Sequence, residues 1–162
     1  MIKRFWEKYR SYIISIAISL GTGGLAALVT MKNMNIEETV TQPPGTPPSI
    51  VFFIVWTALY VLMGIAAARI YDKRADAPDI ARSGLTYYAC SLVVNFTWNI
   101  LFFNLRAFLI SSLWIVLLLV LIILTALKYA KIDRVAALMN VPYILWVVYA
   151  TYITFGIFYL NG

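Results

Sequence analysis

Five long runs of apolar positions, separated by short polar links, set the plan of the chain. They cover about Tyr12–Met31, Ser49–Tyr71, Gly84–Phe103, Phe108–Tyr129 and Val135–Leu160. Each reaches the roughly 20 residues that an α-helix needs to cross a bilayer. Three of the links are Asp72–Ser83, a turn near Asn104–Arg106, and Lys131–Arg134. Links this short force each helix to run antiparallel to its neighbour. The pattern predicts an all-α fold: one domain over residues 1–162, an integral membrane bundle of five transmembrane helices, with no clear internal repeat. The remaining link, residues 32–48, is different. It contains "TQPPGTPPS", where four prolines fall within six residues and exclude a helix, because each lacks an N–H and restricts its predecessor. This stiff segment is set directly above the second helix, which carries Trp56 and Tyr60.

The first run has a rival reading. "MIKRFWEKYR" followed by apolar residues resembles the start of a signal peptide, but such a peptide has an apolar core of only about 7–15 residues. The longer run here favours a true helix. Composition agrees with the membrane reading: 62% of residues are hydrophobic and 12% charged, against about 45–50% and about 25% in soluble domains.

The charges locate the two sides of the membrane. Lys3, Arg4, Lys8 and Arg10, then Arg69, Lys73, Arg74 and Arg82, then Lys128, Lys131 and Arg134 place eleven cations at one end of the bundle. Lys32 and Arg106 are the two at the other. By the positive-inside rule the N-terminus is expected in the cytoplasm and the C-terminus outside, in a bacterial cell membrane. The proline segment, with Glu37 and Glu38, then lies on the outer side. The net charge of +6 reflects this topology and not nucleic-acid binding, since no helix carries a basic face.

The chain contains no histidine, and Cys90 is its one cysteine. An internal disulfide is excluded, as are His-ligated zinc or haem iron and any Ser–His or Cys–His catalytic pair. No metal site is expected. Chemistry is carried instead by helix faces. In "NFTWNILFF", Asn95, Trp98 and Phe102 are spaced three and four apart and share one face, with Asn99 beside them. An amide in hydrocarbon is costly unless paired, so Asn95 is expected to point into the bundle, as interhelical glue or as a ligand contact. Trp56, Tyr60, Met63 and Ala67 form a stripe on the second helix, and Trp146, Tyr149, Ala150 and Ile153 one on the fifth. Such stripes serve as core packing, as interfacial belts or as ligand walls; Trp6 and Tyr9 fit a belt, whereas Trp56, Trp98 and Trp146 lie deeper. Small residues four apart, at Ala17 and Gly21, Gly23 and Ala27, and Gly64 and Ala68, permit close helix contacts within one chain or between two. Pro142 is expected to kink the fifth helix.

The stretches "TPPSIVFFIVWTALYVLMG", "NFTWNILFF" and "VPYILWVVYATYI" resemble, in order and spacing, the three main motifs of the TspO/MBR family, the tryptophan-rich sensory proteins and the translocator protein or peripheral benzodiazepine receptor. The resemblance covers about Thr41–Leu160. It implies a five-helix bundle, often a homodimer, with a pocket opening toward the loop between the first two helices. That pocket would bind porphyrins, isoquinoline or benzodiazepine-type ligands and, in animals, cholesterol. Carried over by motif, its lining would be Pro47, Trp56, Tyr60, Asn95, Trp98, Trp146, Tyr149 and Ala150. The proline segment would be the stiff part of a lid.

Three departures bear on function. The family usually has a tryptophan two residues before its Pro-Pro pair, where this chain has Gly45, so the lid should hold a ligand differently. The family often has an acidic residue in helix four, but no Asp or Glu occurs here between Asp79 and Asp133. The Lys or Arg that ends the cholesterol pattern of animal members is missing, since none follows Arg134. The resemblance therefore implies a membrane receptor for porphyrins and related flat apolar ligands, with no required cofactor and a protoporphyrin-like molecule as ligand. An alternative is a porphyrin-degrading enzyme driven by light and oxygen, with Trp56 and Trp146 as candidate catalytic residues. A further alternative is a tetrapyrrole or lipid transporter, against which stands the lack of inverted repeats or broken half-helices.

Overall fold

A computed structural model describes residues 2–162; the side chains of residues 2–5, 7, 8 and 37 lie outside the description, and with them those of Lys3, Arg4, Lys8 and Glu37. The described residues form six α-helices and no strand: α1 (Ile2–Thr30), α2 (Ser49–Asp72), α3 (Pro78–Asn99), α4 (Phe108–Ala130), α5 (Arg134–Met139) and α6 (Val141–Asn161). Short 3-10 turns at Met31–Asn33 and Ile36–Glu38 interrupt the first link. A π-helical turn at Ile100–Asn104 extends α3.

Four segments are long and apolar enough to cross a membrane: Tyr9–Asn33, Ser49–Asp72, Phe108–Ala130 and Arg134–Asn161. The expected third span is not among them. It begins six residues earlier than expected, because Pro78 takes the first helical position, where its missing N–H costs nothing. Its first turns then include Asp79 and Arg82. Its other polar groups are accommodated individually: Thr86 and Thr97 donate to the carbonyls of Arg82 and Val93, at 2.8 and 2.9 Å, and Ser91 and Asn95 are buried. The expected fifth helix is divided at Asn140. Pro142 cannot donate an N–H into the helix, and the Asn140 side chain covers part of the gap by donating to the Ala136 carbonyl at 2.9 Å.

Each helix packs against its chain neighbours and the bundle closes on α4, which contacts both α3 and α6. The buried stripe of α4 runs Ser111, Ile115, Leu118, Ile122, Thr125, Tyr129, a repeat of three and four that defines one helix face. Its opposite face exposes Leu109, Leu113, Val116 and Val120. The segment resembling a signal peptide is an integral part of the bundle: α1 packs along α2, and Ser19 shares a hydrogen bond with Tyr88 of α3. A side chain on Gly64 would lie 2.5 Å from the Ile16 backbone, and one on Gly23 would strike the Tyr60 ring, so these two glycines serve contacts within the chain.

Polar contacts tie the links together by sides. At one end Asp133 accepts from Arg69 (2.8 Å) and Lys73 (3.1 Å) and caps α5 through the Val135 N–H (2.9 Å). Burial alone would raise its carboxyl pKa, but the bonds from Lys73, the Val135 N–H and Arg69 outweigh that and hold it below the usual carboxylate range. At the other end Asn33 donates to Asn104 at 2.9 Å, and Asn161 exchanges two 2.8 Å hydrogen bonds with the Thr41 backbone.

Candidate ligand-binding site

The loop after α1 lies over the end of α6. The Tyr149 hydroxyl donates to the Gly45 carbonyl, and the Tyr152 hydroxyl to the Pro44 carbonyl at 3.0 Å. Gly45 has φ +86°, a left-handed conformation that glycine adopts without strain and that a tryptophan at this position would resist. Pro43 rests on Gly156, where a Cβ would come within 2.7 Å of the proline ring. The departure at Gly45 thus goes with a sharply turned loop held down through its carbonyls.

Beneath the loop is a cavity of about 80 Å³. Pro47, Trp98 and Ala150, three of the eight expected site residues, line it. Phe52, Phe102, Phe103, Ile153 and Thr154 line it as well. Two aromatic groups flank the space. In the first, Phe52 contacts Trp56 (ring centroids 5.9 Å apart) and Trp146 (6.0 Å); Trp56 continues to Tyr60 (5.7 Å), and Trp146 to Tyr149 (5.5 Å). In the second, Trp98 stacks on Phe102 at 5.0 Å and 17°, with Phe103 edge-on at 6.2 Å. Trp56, Tyr60, Trp146 and Tyr149 therefore stand behind Phe52 and do not touch the cavity directly.

Asn95 lies deeper and is fully buried. Its Oδ1 accepts from the Tyr60 hydroxyl at 2.7 Å, and its Nδ2 donates to the Tyr143 hydroxyl at 3.3 Å. The amide joins α2, α3 and α6. By contrast, the indole N–H groups of Trp56, Trp98 and Trp146 are buried and have no hydrogen-bond partner. Leaving a buried donor unpaired costs about 1–3 kcal/mol each.

Several lining residues were not singled out as site residues from the sequence. Phe52 continues the Trp56–Tyr60 stripe one turn earlier, so helical spacing could have found it. Phe103 could not be found that way. Adjacent residues on an α-helix diverge by about 100°, yet Phe102 and Phe103 are both buried, because the Leu105 N–H bonds back to Ile100 (3.0 Å) and widens the turn.

Residues 14–160 match the sequence model of the TspO/MBR family. The chain belongs to that family. It is 32% identical over 149 residues to a tryptophan-rich protein TspO of Chlorobaculum tepidum, covering 91% of this chain and 94% of that protein. It is 34% identical to a tryptophan-rich protein TspO of Archaeoglobus fulgidus (93% and 96% covered) and 30% identical to a translocator protein 2 of Canis lupus familiaris (75% and 72% covered). Family membership and the apolar helices make the TspO/MBR chain a membrane protein.

Proposed function

We propose that this TspO/MBR protein is a five-span membrane receptor for porphyrins and related flat apolar ligands. The ligand enters under the proline loop and is held between the Phe52–Trp56–Trp146 wall and the Trp98–Phe102 wall. The observation that carries this reading is the set of three buried, unpartnered indole N–H groups, that of Trp98 on the cavity and those of Trp56 and Trp146 behind Phe52. A core selected only for packing would gain by pairing or replacing them. A ligand with acceptor atoms at its edge would both stack on the rings and satisfy the donors. Pro47, Tyr60, Asn95, Tyr149 and Ala150 complete the site, Asn95 by fixing Tyr60 from behind.

The cavity volume adds a condition. Pockets for drug-sized molecules enclose about 300–1,000 Å³, and this one encloses about 80 Å³. The conformation described is therefore closed, and binding requires the loop to lift and Phe52 to turn.

The test is a titration with protoporphyrin IX, read by tryptophan-fluorescence quenching in the dark and without oxygen, which separates binding from photochemical loss of the porphyrin. Trp56→Phe, Trp98→Phe and Trp146→Phe should each weaken binding by a few-fold or more, since aromatic contacts contribute about 0.5–1.5 kcal/mol beyond area. Trp114 is the control. Its Nε1 donates to Thr97 at 2.8 Å, linking α4 to α3 away from the cavity. Trp114→Phe should lower stability and leave affinity unchanged at equal folded fraction. Equal loss in all four variants, or no loss in the first three, would overturn the aromatic-site reading.

A further inference from the structure

At the opposite end of the bundle, a groove of about 710 Å³ runs between the end of α2 and the first half of α3. Arg74, Tyr71 and Arg82 stand at its polar end; Leu85, Ala89 and Cys90 line the rest. The Arg74 guanidinium is held there, 3.9 Å from the centre of the Tyr71 ring and donating to the Tyr71 carbonyl at 2.6 Å. Among the described residues, the ion pairs at this end join Arg69 and Lys73 to Asp133. Among the described residues no carboxylate pairs with Arg74 or Arg82, and the acidic residues of the same link, Asp72, Asp76 and Asp79, do not line the groove. Below Arg82 the α3 face continues through Leu85, Ala89 and Cys90 to the exposed Val93. From Arg82 to Cys90, the last lining residue of α3, the helix rises about 12 Å, at 1.5 Å per residue. That is most of one leaflet of a hydrocarbon core about 30 Å thick.

We infer that this groove binds one anionic phospholipid, its phosphate on Arg74 and Arg82 and one acyl chain along Leu85, Ala89 and Cys90. The occupant follows from the order of the lining: two guanidinium groups without a carboxylate partner at the polar end, then an apolar track that runs through most of one leaflet. A free anion would leave the track unused. A zwitterionic lipid would bring its own cation to the phosphate and leave the two arginine charges uncompensated. Guanidinium matches phosphate oxygens in geometry as well as charge. The inference rests on the helices spanning a membrane, and it is independent of the ligand under the proline loop.

The experiment uses the full chain in detergent, titrated with phosphatidylglycerol or phosphatidylcholine and read by native mass spectrometry, with a thermal melt confirming folding. Basic residues near a membrane surface contribute about 1 kcal/mol each, so the two arginines should make phosphatidylglycerol bind about thirtyfold more tightly. Arg74→Gln with Arg82→Gln should abolish that preference. Lys128→Gln with Lys131→Gln, cations at the same end that do not line the groove, should keep it. Cys90→Phe, which fills the apolar track, should weaken both lipids while the charges stay in place. Protoporphyrin affinity should be unchanged in all of these variants, so failure here is distinct from failure of the porphyrin reading. A preference that survives the arginine substitutions, or is lost equally with the lysines, would overturn the site. So would displacement of the lipid by millimolar inorganic phosphate, or a Cys90→Phe variant that binds both lipids normally.

Discussion

Asn95 shows how one polar side chain can be expensive and necessary at once. Buried in an apolar bundle, its amide is compensated by two tyrosine hydroxyls from α2 and α6. Asn95→Leu would remove that joint and leave Tyr60 and Tyr143 with unpaired hydroxyls in a dry interior, at about 1–3 kcal/mol each. The melting temperature should fall clearly. Adding Tyr60→Phe and Tyr143→Phe should recover most of the loss, since removing both partners of a buried bond can be nearly neutral. Protoporphyrin affinity at equal folded fraction decides the role: a large loss of affinity without loss of stability would put the amide on the ligand and not on the tyrosines. The burial of Asn95 was legible in the sequence, because an amide in hydrocarbon must find a partner. Its partners were not. Helical spacing puts Tyr60 on a pocket wall and does not mark Tyr143, because the meeting of three helices at one point is decided by packing and leaves no mark on the spacing within any of them.

Among the elements, the proline loop is the one that the proposed binding requires to move, against α6. Four prolines make the loop stiff, while its attachment uses few groups: hydroxyls of Tyr149 and Tyr152 on two loop carbonyls, the Asn161 side chain on Thr41, and the contact of Pro43 with Gly156. A stiff loop held by a few polar contacts can lift as a unit. Tyr149→Phe combined with Tyr152→Phe keeps both rings and removes both hydroxyls. Each lost bond is worth about 0.5–1.5 kcal/mol, so protoporphyrin should associate a few-fold to tens of times faster. Stopped-flow quenching measures this, and an unchanged association rate would show that the loop does not gate the site. Legibility varies with element type here. The ends of α2 and α4 agree with the apolar runs to within a residue. The start of α3 and the break at Asn140 do not, because both depend on where a proline falls within a turn and not on hydropathy. The π-turn that brings Phe102 and Phe103 together depends on relocated backbone bonds, Leu105 to Ile100 and Ala107 to Leu101, which no residue type announces.

For the whole molecule, the decisive quantity is the charge difference between the two ends. The structure groups the links as the sequence expects. Asp72–Ser83 and Lys131–Arg134 meet through Arg69, Lys73 and Asp133, while the proline loop, the turn after α3 and the C-terminal end meet through Asn33, Asn104, Thr41 and Asn161. Each end is therefore a physical unit, and among the described side chains eight of the eleven Lys and Arg stand at one end, against Lys32 and Arg106 at the other. A bilayer should orient such a molecule with the eleven on the cytoplasmic side. In that orientation the proposed porphyrin site would open outward and the proposed lipid groove would lie in the inner leaflet. Cysteines introduced at two exposed positions, one at each end, test this without altering any Lys or Arg: Asn35→Cys in the loop after α1 and Asp76→Cys between α2 and α3, both in a Cys90→Ala background. A membrane-impermeant maleimide applied to intact cells should label the first, and the second only after lysis. The reverse pattern would invert the topology, and equal labelling of both in intact cells would mean that the charge difference does not select a single orientation.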